Sequence, residues 1–390
     1  MNYISTVNKQ FTDLLPRDRF FHFVEQFKGD KYAKGITCWM QLNALLSSQA
    51  NGWDSLREIE MGLSLHQKKL YHLGCKAISR STLAYANEHR SFEIYESLFY
   101  DLVPLCKGKI GAKKKFRFKN DLYALDSTTI DLCLSLFPWA TFRQTKGAIK
   151  LHMLFDVKSQ VPDFVVMKTG KRHDVSVAKE LDFSKYLDSI IVFDRGYEDF
   201  KWWNKLDKQG VKFVSYLQDN VQYQVVGQHT ESKKKGVIKD ELIELTGVKS
   251  EGKYPSQLRL ITYYDDIHDQ LYQFVTNIMN LSAKTIADIY KARWDIETFF
   301  KWLKQNLKIK TFLGTSKNAV LTQIWTAMIY YLLLSYIKYQ TKYSGSLTNL
   351  TMVIGEMFFE RLPLIDLLSP QFISRSRAAP TSSNQLALFG

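Results

Sequence analysis

Apolar positions recur every three to four residues through roughly the first 105 residues of the chain, then every second residue through its middle. Phe20, Phe23, Val24 and Phe27 mark one helix, and Trp39 to Leu46 another. Ser55-Leu-Arg-Glu58 is a capping-box pattern that opens a helix through Met61. After a turn near Leu73-Gly74, Ser79-Arg-Ser-Thr-Leu83 opens a further helix running towards Tyr100. Two helices joined by a short turn, the second beginning with Ser79 and Arg80, suit a helix-turn-helix that presents its N-terminus to DNA. Any small helical bundle gives the same pattern.

The middle of the chain changes period. Leu122 to Asp126 reads as a strand ending in an acid, and Ala148 to Val157 and Val161 to Lys168 form a hairpin across Ser159-Gln160. Val175 to Leu181 is helical, and His173-Asp174 precedes it, with Asp174 suited to be its N-cap. Ser189 to Asp194 is the continuous apolar run of a buried central strand, again closed by an acid. A helix to about Lys208 and the strand Lys212 to Leu217 follow. Three strands, helix, strand, helix, strand, with acids on the first and fourth strands, is an order similar to a ribonuclease H-like fold. In that fold the two acid-bearing strands lie side by side. Residues 218–280 interrupt it with the strand-like segments 222–226, 241–245, 258–264 and 271–279, read as a β-rich insertion.

One stretch organises the rest. Tyr290 to Lys304 contains no Gly or Pro and reads as a single helix. On it Tyr290, Arg293, Glu297 and Lys304 share a wedge of about 60°. Ile289, Ile296, Phe300, Leu303 and Leu307 form the adjoining apolar side that seats it on a core. One carboxylate is thus set between two cations and a phenol. Ala319 to Ile337 is the most apolar run; Thr322, Gln323, Thr326 and Ser335 interrupt it, so it reads as a buried core helix behind the sheet, short of a membrane span.

Composition narrows the partner. The 390 residues carry a net charge of +14, which favours a polyanion. A hydrophobic fraction of 45% and a charged fraction of 24% are those of a folded chain. Lys107 to Lys119 holds seven cations and no acid, so Lys113, Lys114, Lys115 and Arg117 form a linker suited to gripping phosphates. Cys38, Cys75, Cys106 and Cys133 form no Cys-x-x-Cys pair, which argues against zinc and a disulfide framework and fits a reducing compartment. No signal peptide is evident, and a cytoplasmic protein is expected.

Three acids, Asp126, Asp194 and Glu297, then come together if the element order holds. Without a cation such a cluster repels itself. All-oxygen ligands suit Mg²⁺, with Mn²⁺ as a substitute, and two such ions would serve an in-line phosphoryl displacement. Two carboxylates also run glycosidases, but Arg293 and Lys304 beside Glu297 speak for phosphate. His173 is a lesser candidate to approach the metal.

The sequence resembles the bacterial DDE transposases of the insertion-sequence-four family over nearly its whole length. The resemblance rests on Ser55-Leu-Arg-Glu-Ile-Glu60, Ala124-Leu-Asp-Ser-Thr128 and Val192-Phe-Asp-Arg-Gly-Tyr197. Its strongest part is the signature Tyr, two residues, Arg, three residues, Glu, six residues, Lys, met by Tyr290, Arg293, Glu297 and Lys304. It implies Asp126, Asp194 and Glu297 as a catalytic, metal-binding triad. It also implies an enzyme that nicks the ends of its element and joins the freed 3′-hydroxyls to target DNA, usually as a dimer in a synaptic complex. Relatives that pass through a DNA hairpin hold a flipped base with a tryptophan of the β insertion. Residues 218–280 contain no tryptophan, only tyrosines such as Tyr223, Tyr263 and Tyr264, with Tyr216 just before them. A catalytically silent DNA-binding repressor and a metal-dependent nuclease of the same fold are the rival readings.

The resulting organisation is a helical DNA-binding domain (1–105), a basic linker (106–120), a ribonuclease H-like core in two parts (121–217 and 281–373), the β-rich insertion between them, and a disordered tail (374–390). The tail ends in Gln385, Leu386, Ala387, Leu388 and Phe389. That run is similar to the motif by which bacterial DNA enzymes bind the replication sliding clamp: Gln385 supplies hydrogen bonds, and Leu386, Leu388 and Phe389 fill apolar pockets.

Overall fold

A computed structural model describes residues 5–110, 116–143, 146–170, 173–229, 236–247, 250, 252–307, 309 and 311–369. Lys113, Lys114, Lys115, Gln385, Leu386, Leu388 and Phe389 therefore lie outside the described residues, as does the basic run Lys233–Lys235.

In chain order the elements begin with α1 (Val7–Thr12), α2 (Arg17–Gln26), α3 (Cys38–Asn51), α4 (Leu56–Leu65), α5 (Gln67–Leu70), α6 (Arg80–His89) and α7 (Glu93–Lys109). Next come β1 (Leu122–Leu132), β2 (Thr141–Arg143), β3 (Lys146–Asp156), β4 (Val161–Thr169), α8 (Asp174–Glu180), β5 (Ile190–Phe193), α9 (Phe200–Lys208) and β6 (Lys212–Tyr216). After them run β7 (Tyr223–Gln228), β8 (Val237–Leu245), β9 (Leu258–Asp265), β10 (Gln270–Thr276), α10 (Ala283–Lys291) and α11 (Trp294–Asn306). The last are α12 (Lys317–Gln340), α13 (Leu347–Met357) and α14 (Leu364–Leu367). These fall into two compact units, one of residues 1–110 with 306–390, the other of residues 111–305.

The first unit is helical throughout its described residues. Ser55 caps α4 by accepting from the amide of Glu58, and Glu58 returns a carboxylate to the amide of Asp54 at 2.5 Å. Ser79 caps α6 the same way. The helix expected to run on towards Tyr100 ends at His89, where Arg90 turns extended, and α7 starts anew at Glu93. α12 is apolar all round and packs on α7, α3, α6 and α13, with Trp325 against Phe99 at 5.2 Å. Its expected place behind the sheet is thus replaced by the centre of the helical unit. A helix with no polar face needs partners on every side, and helices supply them.

The second unit is built on one ten-stranded sheet in the order β2-β3-β1-β5-β6-β10-β9-β8-β7, with β4 also pairing β3. β1, β5 and β6 are parallel neighbours and the remaining pairs antiparallel. β1 outruns its expected end because β-branched Thr128, Thr129 and Ile130 continue the ladder opposite β3. The four strands expected as an insertion all form, but they extend the central sheet: β10 pairs β6 at Phe274↔Tyr216 through Thr276↔Val214. Beneath the sheet, Trp202, Trp203, Phe193 and Phe213 form an aromatic core. Asp207 and Asn277 help tie its parts, Asn277 donating to Asp207 Oδ1 at 2.7 Å.

Candidate active site

Asp126 and Asp194 are brought abreast by the parallel pairing of β1 and β5. Their register runs from Leu122↔Ile190 to Leu125↔Phe193, and each acid is the next residue along its strand direction. Both carboxylates are turned back on the chain: Asp126 Oδ1 accepts from the amide of Ser127, and Asp194 Oδ1 from that of Arg195, each at 2.7 Å.

The expected single helix from Tyr290 to Lys304 is two. Around Ala292 and Arg293 the amides of Arg293, Asp295 and Ile296 each bond three residues back, closing a tight turn between α10 and α11. The two helices pack on different parts of a twisted sheet. Tyr290 lies on Phe274 of β10 at 4.7 Å, while Phe299 stacks on Phe155 of β3 at 5.1 Å. One straight rod does not follow both. The apolar side expected from the sequence is nonetheless the buried side, since Ile289, Ile296, Phe300, Leu303 and Leu307 are all buried.

That turn sends Arg293 inward. Only 8% of the residue is exposed. Its Nη1 stands 2.6 Å from Glu297 Oε1 and 3.4 Å from Asp126 Oδ2, so one nitrogen with two hydrogens serves two carboxylates. Glu297, in the first turn of α11, keeps half its side chain in solvent. Burial pushes the Asp126 carboxyl up to about 6; the Ser127 amide and Arg293 oppose that, and the charges of Glu297 and Asp194 add to it. Asp126 therefore senses both other acids. Burial also pushes the Tyr290 phenol up to about 12. The Arg293 guanidinium lies 5.6 Å from that ring's centre. Lys304 sits half-buried in the last turn of α11, Arg117 is exposed just before β1, and Arg80 is exposed at the first position of α6 in the helical unit.

Other expectations shift. Asp174 is not the N-cap of α8: His173 holds that position without a side-chain cap, and Asp174 accepts from Lys150 Nζ at 2.8 Å with His152 Nδ1 at 3.3 Å. Tyr263 is buried, while the Tyr264 hydroxyl donates to Asp269 at 2.6 Å. A contact the sequence reading missed is that of Gln160, whose amide bridges Val157 O and Asp295 Oδ2 at the start of α11. Its signal was its place at a hairpin turn, where it holds φ +59°.

Three carboxylates are hard oxygen donors and suit a divalent ion in kind. Among the described residues, however, no three His, Cys, Asp or Glu side chains stand as a ligand group. The cation that two of the acids touch here is the guanidinium of Arg293.

Residues 117–333, more than half of the chain, match the family described as Transposase DDE domain. The chain belongs to that family, and its function is DNA transposition. Residues 4–76 match a domain of unknown function, DUF4372. A transposase assigned to insertion sequence element IS5377 of Geobacillus stearothermophilus is 28% identical over 286 residues, which cover 73% of this chain and 74% of that protein. One assigned to element IS4SA of Synechocystis is 24% identical over 275 residues, covering 68% and 74%. Among solved structures, a piggyBac transposase synaptic complex with hairpin DNA aligns over 96% of this chain and 82% of its own at 12% identity, with a TM-score of 0.47, too low to bear on the argument.

Proposed function

We propose that this transposase hydrolyses one strand at each end of its element and joins the freed 3′-hydroxyls to target DNA, using Asp126, Asp194 and Glu297 to hold Mg²⁺, two ions in the full reading. What supports this reading is that the β1–β5 register sets Asp126 and Asp194 at matching positions and that the buried Arg293 contacts both Asp126 and Glu297. When bound, such ions supply charge neutralisation and an activated oxygen for in-line displacement. The protein's own part is positional. Asp126 within β1 and Asp194 just past the end of β5 each accept from the next backbone amide, and Glu297 is carried by a helix seated on Phe155. Lys304 and Tyr290 join Arg293 in binding DNA phosphates, Arg293 as a fork and Lys304 as a point charge.

Arg80 and the basic segment with Lys113, Lys114, Lys115 and Arg117 grip the element ends, in a homodimer that pairs two of them, in the bacterial cytoplasm. The C-terminal Gln385, Leu386, Leu388 and Phe389 bind the sliding clamp; deleting 385–390 abolishes clamp pull-down and leaves strand transfer in vitro intact. The central assay incubates the protein with matched element ends and Mg²⁺ and follows nicked and joined products. Glu297→Gln binds the ends and yields neither. Activity that survives this change refutes the metal assignment, nicking without joining marks a nuclease, and binding without products by the unaltered protein marks a repressor.

A further inference from the structure

The cation in contact with the acidic site belongs to the protein itself. Burying a guanidinium is costly unless its charge is matched and its hydrogens are used. Arg293 meets the first demand through Asp126 and Glu297 and fails part of the second, because its buried Nε finds no hydrogen-bond acceptor among the described residues. It is held by charge more than by a complete set of hydrogen bonds. The acids are in the matching position: they carry one guanidinium where a divalent ion would give them more positive charge at shorter range. An ion reaching both Asp126 and Glu297 must take the place that Nη1 now fills, since that nitrogen already lies within hydrogen-bonding distance of Glu297.

We propose that Arg293 is the resident counter-cation of Asp126 and Glu297 in the ion-free protein, and that a divalent ion and the guanidinium occupy these carboxylates in exchange. This rests on the metal reading above. Loading of the ion releases Arg293 from the acids and frees its fork for a DNA phosphate, so ion binding and DNA binding become linked through one side chain. In the ion-free protein the same arginine screens the acids and keeps DNA phosphates from engaging that fork. Glu297 is the natural hinge of the exchange, because its side chain is half exposed and has room to turn, whereas Asp126 is fixed by the Ser127 amide.

The test is Mn²⁺ binding to the full-length protein without DNA, read by the loss of the free-ion electron paramagnetic resonance signal. Arg293→Gln removes the competing charge and is expected to bind Mn²⁺ at least about tenfold tighter than the unaltered protein, a step of about 1.4 kcal/mol. Arg293→Lys, which keeps a charge on a shorter reach, should fall between the two. Equal or weaker binding by Arg293→Gln overturns the exchange. If the unaltered protein shows no Mn²⁺ binding that Glu297→Gln abolishes, the metal reading itself has failed, a result distinct from the former. A second measurement needs no folded variant. With ¹⁵N-arginine label, one slowly exchanging Nε–H besides that of the buried, hydrogen-bonded Arg259 should become fast on adding Mg²⁺; an Nε–H set indifferent to Mg²⁺ overturns the proposal.

Discussion

The side-chain amide of Gln160 donates to the Asp295 carboxylate at 3.1 Å, tying the β3–β4 turn to the first turn of α11, two residues before Glu297. Gln160 holds a left-handed backbone, φ +59°, and also donates to Val157 O at 2.8 Å. Glycine accepts that backbone without strain and deletes the amide. Gln160→Gly should therefore lose about 1 kcal/mol of stability. End nicking should fall about tenfold, because a helix that shifts by a fraction of an ångström misplaces the carboxylate it carries. Thermal melting and a nicking time course check the two effects separately. Full nicking activity in a folded Gln160→Gly protein would show that α11 is set by its apolar face alone.

Burial pushes Asp126 up to about 6 from an ordinary 3.8. A carboxyl whose folded value is raised favours the folded state fully below its unfolded value, and that advantage is lost as pH rises through the folded value. In ion-free buffer the contribution of Asp126 thus falls between pH about 4 and pH about 6, by roughly 3 kcal/mol for a move of this size. Asp126→Asn removes the titration. Its stability relative to the unaltered protein should rise across that window, measured by denaturant unfolding at pH 4.5 and 7.5 without divalent ions. A difference independent of pH would show that Asp126 is not desolvated as its surroundings imply.

Much of the fold was legible because its signals are local. The apolar runs that end at Asp126 and Asp194 announce buried strands, and their adjacency was expected from the order of the elements, which is similar to a ribonuclease H-like fold. What stayed hidden depends on distant partners. The break at Ala292–Arg293 has no Gly or Pro to mark it, and arises because Tyr290 and Phe299 pack on different strands. α12 shows no polar face, so its sequence carries no direction for its packing. The joining of β10 to β6 is a register fact, invisible in a list of strand-like segments.

That joining has a thermodynamic consequence. Arg259 is fully buried and forks onto Asp240 through Nε and Nη2, each at 2.7 Å, while Nη1 reaches Leu281 O at 2.6 Å. The pair links β8 to β9 inside the same sheet that carries β1 and β5. Arg259→Met takes the guanidinium fork away from the buried Asp240, at a cost of about 3–5 kcal/mol, and the double change with Asp240→Leu should recover most of it. Because β7–β10 continue the sheet, the loss should appear in the transition of the whole second unit. A separate early transition confined to residues 218–280, seen by hydrogen exchange, would mark those strands as an independent body.

Arg80 opens α6 with no acid in its first turn, so a cation sits at the positive end of the helix dipole, where by itself it is unfavourable. Ser79 already satisfies the cap through the Thr82 amide, so Arg80 is not needed to end the helix, and it is exposed. A phosphate at that helix start would meet the guanidinium, the free amides and the dipole at once, which turns the unfavourable placement into a favourable one. Arg80→Ala should then leave melting unchanged or slightly raised and weaken binding to element ends about fivefold to tenfold at moderate salt. The slope of log affinity against log salt should drop by about one, the signature of one lost phosphate contact. Weaker binding with an unchanged slope would mean that Arg80 acts on the fold of α6 and touches no phosphate.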